Sequence, residues 1–113
     1  MNLTDEKKRE IYDQFEDAVN MAPKELEDWL ETAESKSVGD DPSRESTGHK
    51  SGRRIVEIKR KNKSELTDAD YEHMNKVAGY VHRHIKQPPS KSNVEDSKWR
   101  YSLMNWGHDP LKD

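Results

Sequence analysis

The sequence predicts an all-α fold: a small bundle of about five helices, a mobile loop between the second and third, and no sheet. Three observations lead there. Apolar residues return at steps of three and four in successive stretches of the chain. Several of those stretches open on a capping residue or proline and stop at Gly or Pro. Only 29 % of the 113 residues are hydrophobic against 38 % charged, which suits a small helical core better than a deep enzyme interior.

The first helix opens at Thr4, a capping side chain followed by Asp5 and Glu6 at the positive end of the helix dipole. Ile11, Phe15, Ala18, Val19 and Ala22 form its apolar stripe, with the helix running to about Asn20. Pro23 suits the first turn of a second helix bearing Leu26, Trp29, Leu30 and Ala33, and the two are expected to pack as a hairpin. Ser35 to Gly52 is rich in Ser, Gly and Asp and reads as the loop. A short basic third helix is expected from about Ser51 to Lys61, with Ile55 and Ile58 inward. Leu66 to Tyr71 is a strong helix start, with Thr67 as cap, an acidic first turn, and Leu66 and Tyr71 placed as a hydrophobic staple. That fourth helix carries Met74, Val77, Ala78, Val81 and Ile85 and ends at Pro88-Pro89. Beyond a polar linker from Ser90 to Asn93, Trp99, Leu103 and Trp106 align on a last helix stopped by Gly107 and Pro110. The expected organisation is a single domain, with an acidic hairpin over 1–34, a flexible loop over 35–50 and a basic three-helix part over 51–113.

Several function classes fall away. No apolar run approaches the roughly 20 residues of a membrane-spanning helix, and the acidic opening Met1 to Glu6 is unlike a secretory leader. The expectation is therefore an intracellular protein, cytoplasmic, or nuclear in a eukaryote, with no membrane association. The absence of cysteine excludes disulfides, thiolate nucleophiles and Cys-ligated metal.

The net charge of −3 conceals a dipolar chain. Residues 1–45 hold 6 Lys/Arg against 14 Asp/Glu, and the remainder is basic. The excess peaks between His49 and Lys63, where Lys50, Arg53, Arg54, Lys59, Arg60, Lys61 and Lys63 face Glu57 alone. Such a cluster binds phosphate backbones or pairs with acids of its own chain, and sequence leaves both uses open. Glu57 is also placed to pair with Arg53, Arg60 or Lys61 along one helix.

Gly48-His49-Lys50-Ser51-Gly52 invites comparison with a phosphate-binding loop, but Arg44 and His49 stand where glycines are required and no strand precedes it. A looser anion site remains, in which Lys50, Arg53 and Arg54 gather at the start of the third helix, beside the plainer reading of a capped helix with a solvated basic face. Helix-turn-helix docking is disfavoured because Asp68, Asp70 and Glu72 open the helix that would enter the groove. His82 and His84 are two residues apart and point roughly 200° apart on a helix, so they do not share a metal. No metal, cofactor or catalytic residue is expected, and the protein is read as a non-enzyme.

Four strings resemble one family: Leu26 to Thr32, Gly48 to Val56, Met74 to His84, and Trp99 to Pro110. In order and over most of the chain they are similar to the family known as domain of unknown function 3140. The resemblance implies a small accessory protein, DNA binding being a label loosely attached to members, and carries no catalytic residues. The leading expectation is weak, sequence-independent binding to a DNA or RNA backbone through Lys50, Arg53, Arg54, Lys59, Arg60, Lys61 and Lys63, joined by Arg83 at the far end of the fourth helix. The competing expectation is a protein-interaction module, or homodimer, that uses Tyr101, Met104 and other aromatic surface of the last helix.

Overall fold

Thr4 starts helix α1 (Asp5–Ala18) as its sequence suggests, Oγ1 accepting the Lys7 N–H at 3.1 Å. The computed structural model describes residues 3–38, 47–88 and 94–112. α2 (Pro23–Leu30) begins on its proline, with the Glu25 carboxylate accepting the Ala22 N–H. There follow α3 (Ala33–Ser37), α4 (Thr47–Arg60), a single 3-10 turn (Lys63–Glu65), α5 (Asp68–Ile85) and α6 (Lys98–Asn105). Among the described residues there is no strand, and no helix is long and apolar enough to cross a membrane. The five longer helices are those expected, and α3 is an addition.

Two boundaries move. α3 occupies the start of the expected loop because Thr32 caps it, Oγ1 accepting the Ser35 N–H at 3.1 Å, and Ser35 is fully buried. α4 begins at Thr47 rather than near Ser51. Its glycines, poor helix formers that suggest a loop, are helical because neighbouring elements press against them. The remainder of the expected loop, 39–46, and the linker from Ser90 to Asn93 lie outside the described residues. The start of α5 is as expected: Thr67 Oγ1 accepts the Asp70 N–H and Asp70 Oδ2 accepts the Thr67 N–H.

α1 and α2 do not pair as the expected hairpin. α1 lies along α5, α2 lies along α4, and α6 touches α2, α3, α4 and α5. The reason is in the connection between them. Val19 and Met21 are buried there, and the Met21 N–H donates to the Gly107 carbonyl at 3.2 Å. The Asn20 side chain exchanges hydrogen bonds with the backbone of Asp109, so the chain beyond α6 is anchored where a tight hairpin turn would close. Gly107 makes this approach possible: its φ of +82° is left-handed, and a Cβ there would stand 2.9 Å from Val19. Ile11, Phe15, Leu26, Ile55, Met74 and Leu103 are fully buried at the centre. Ala22 and Ala33 face solvent despite their places in the expected stripes, and Ile85 is 40 % exposed at the last position of α5.

Candidate nucleic-acid interface

At about 100° per residue, Lys50, Arg53, Arg54, Arg60 and the adjoining Lys61 fall within an arc of about 120° on the outer side of α4. Lys59 does not. It projects across the helix towards α1, where Nζ is 3.2 Å from the Glu16 carboxylate and 5.9 Å from the Phe15 ring centre. Its side chain is only 15 % exposed. Lys63 lies over the Tyr12 ring at 4.3 Å, a cation–π contact that leaves it exposed. Arg83 is exposed on α5, seven residues beyond Lys76 and so on the same face.

Acids of distant helices engage several of the expected phosphate contacts. Arg60 Nη1 donates to Glu27 of α2 at 2.8 Å. Lys61 Nζ and Arg54 Nη2 both reach Asp70, at 2.7 and 3.3 Å. Arg60 and Lys61 therefore turn away from Glu57, their expected partner on the same helix. The acidic N-terminal helices do neutralise part of the basic element, through Glu16 and Glu27, while α5 contributes the tightest pairing through Asp70.

Asp70 is 3 % exposed, and burial alone would raise its pKa. The Lys61 ammonium and the hydrogen bonds from Thr67 outweigh that effect and hold the carboxyl down to about 2. A carboxylate with a depressed pKa stabilises the fold above its unfolded value near 3.8, and that stabilisation is lost as pH falls through about 2. Asp70→Asn should therefore cost about 2 kcal/mol at pH 7 and much less at pH 2, as measured by urea unfolding at the two pH values. An equal cost at both would show that the charge is not what Asp70 contributes.

Concavities among the described residues lie on both sides of α4. One, of about 530 Å³, lies against α2 and mixes Glu27, Asp28, Glu31 and Glu57 with Lys24, Arg53 and Arg60. His49 donates from Nε2 to the Leu30 carbonyl at 2.8 Å beside it. The other, of about 220 Å³, is lined by Thr47, Lys50, Ser51 and Arg54 of α4, His73 and Lys76 of α5, and Trp106. No carboxylate is among the described residues lining the smaller one. Of the expected contacts it gathers Lys50 and Arg54, and it adds Lys76, His73 and Ser51, which sequence reasoning missed. The signal was present: Thr47, Lys50, Ser51 and Arg54 repeat at steps of three, one and three on one face, and His73 and Lys76 are one turn apart on another. Burial chiefly, then the neighbouring Arg54 and Lys76 charges, lowers the His73 pKa below its ordinary value.

Among the described residues no group of three or more His, Asp or Glu is placed to hold a metal ion.

A family model described as protein of unknown function (DUF3140) matches residues 14–104. No curated protein and no solved structure matches the chain.

Proposed function

For this chain, which belongs to the DUF3140 family of proteins of unknown function, we propose a non-enzymatic role in binding a nucleic-acid backbone without sequence readout. The observation that carries the reading is the convergence of Lys50 and Arg54 of α4 with Lys76 of α5 around a concavity with no described carboxylate in its lining. Arg53 extends that surface along α4, and Arg83 extends it along α5. Lys59 and Arg60 contribute less because Glu16 and Glu27 already hold them. Asp70 holds Lys61 more closely than Arg54, at 2.7 Å against 3.3 Å, and Lys63 lies beyond α4 in the 3-10 turn. Contacts of this kind position phosphates and carry no base information.

Filter binding to a covalently closed circular duplex tests the proposal. Affinity should fall steeply with salt, with log K against log salt sloping at about −3 for three or four neutralised phosphates. Arg53→Ala with Arg54→Ala should weaken all sequences alike and flatten the slope by roughly two. Failure to bind at low ionic strength would end the proposal.

The protein-partner reading draws less support, because the aromatic surface of the last helix is used internally. Trp106 stacks on Tyr80 with ring centres 4.1 Å apart. Trp99 Nε1 donates to the His84 carbonyl, Tyr101 packs on Trp29, and Met104 is buried. Arg100, between Trp99 and Tyr101 on the same helix, is gripped by both carboxylate oxygens of Asp109 at 3.1 Å.

A further inference from the structure

The smaller concavity differs from a solvated basic face in its floor. Ser51, 4 % exposed, places Oγ 2.9 Å from Nε2 of the half-buried His73. Trp106 closes another side, and its Nε1 lies 3.0 Å from where a Cβ on Gly48 would stand, so an indole N–H sits against the first turn of α4. Three cations, Lys50, Arg54 and Lys76, surround these neutral groups. Arg54 is held in place from behind by Asp70, which orients the guanidinium without lining the concavity.

We infer that this concavity is a binding site for a single dianionic phosphate monoester and, resting on the nucleic-acid reading above, that a strand's terminal phosphate is what it takes. A phosphodiester within a duplex carries one charge and has a sugar on either side, so it meets Lys50, Arg54 and Lys76 from the rim, along with the outer arc of α4, without entering the concavity. A terminal phosphate carries about 1.5 to 2 negative charges at neutral pH and enters a concavity end-on, where three cations and a hydroxyl converge. The Ser51 hydroxyl has one proton. With Nε2 of His73 bare, that proton is committed to the ring; with Nε2 protonated, the ring donates to Oγ and the hydroxyl proton is released to an oxygen of the guest. The neutral Nε2–H tautomer already permits that release, and it is the negative charge of the bound dianion beside the ring that favours the imidazolium, against Arg54 from α4 and Lys76 from α5 and with Asp70 on the same helix.

The test is a titration with sodium phosphate at constant ionic strength, followed by amide and imidazole NMR. Saturable shifts are expected at Gly48 to Ser51, together with a rise in the His73 pKa on binding. Lys50→Ala with Lys76→Ala should weaken phosphate by about tenfold or more and abolish the ring response, whereas Lys36→Ala with Lys63→Ala, an equal loss of charge outside the concavity, should leave both intact. Linear, unsaturated shifts spread over the basic face would overturn the site. A short single strand bearing a 5′- or 3′-phosphate should displace phosphate more strongly than its unphosphorylated twin. Equal displacement would overturn the strand-end assignment and leave a site for free phosphate. Circular duplex has no terminal phosphate, so the proposed function and this site fail separately.

Discussion

Gly52→Ala should destabilise the protein by about 2 to 3 kcal/mol, although the same change inside an exposed helix stabilises it by about 1 kcal/mol. Gly52 is buried in the middle of α4, where a Cβ would stand 2.6 Å from the Asn105 carbonyl oxygen and 2.7 Å from Leu30 Cδ2. Neither can yield cheaply. The first is backbone in α6, and the second belongs to a core side chain only 4 % exposed. The clash pushes α4 away from α2 and α6 together, so overpacking outweighs the gain in helix propensity. Gly79 in α5 is the control, since a Cβ there meets only the flexible end of Arg83 at 3.2 Å. Gly79→Ala should be neutral or stabilising by up to about 1 kcal/mol. Urea unfolding of the two variants decides the matter: a Gly52→Ala protein as stable as the parent would contradict the packing of α4 against α6.

Asn105→Ala should cost about 3 kcal/mol by the same measurement, because it strips three hydrogen bonds from the interior at once. Asn105 is 1 % exposed at the end of α6. Its Oδ1 accepts from Trp29 Nε1 at 2.8 Å and from Ser35 Oγ at 2.5 Å, and its Nδ2 donates to the Ser35 carbonyl at 3.1 Å. One side chain thereby satisfies groups from α2 and α3, and no described buried side-chain polar atom is left without a partner. Truncation leaves the Trp29 and Ser35 groups unpaired in a site too enclosed to offer them water freely, and that unpaired state is the larger part of the penalty. Trp29→Phe removes the indole donor. In a double-mutant cycle the two changes should couple by about 1 kcal/mol, and strict additivity would show that the 2.8 Å contact contributes nothing.

These two positions show where reading the chain succeeds and where it stops. Thr4, Pro23 and Thr67 announce their helices because capping and proline act within a single turn, and α1, α2 and α5 begin beside them. Trp99, Leu103 and Trp106 likewise mark α6 by their spacing. Gly48 and Gly52 mislead for a physical reason: their low helix propensity is overridden by Trp106, Leu30 and Asn105, residues 22 to 58 positions away. Ser35 misleads in the same way, since a small polar residue in a Ser-rich stretch reads as loop until Asn105 buries it.

The candidate site divides along the same line. The basic composition of α4 and the periodicity that puts Lys50, Arg53 and Arg54 on its outer side are properties of the chain, set by 100° steps and legible without a neighbour. Charge availability is not such a property. Lys59 and Arg60 are engaged because α1 and α2 bring Glu16 and Glu27 to 3.2 and 2.8 Å, and Lys61 because α5 presents Asp70 at 2.7 Å. Lys76, inconspicuous in sequence, becomes part of the site because α5 passes beside the first turns of α4. Helix identity follows from interactions between residues a few positions apart, which any folded state of the chain would share. Which cation meets a carboxylate and which lines a concavity depends on distances of a few ångströms between helices, and burial of the apolar stripes sets those distances.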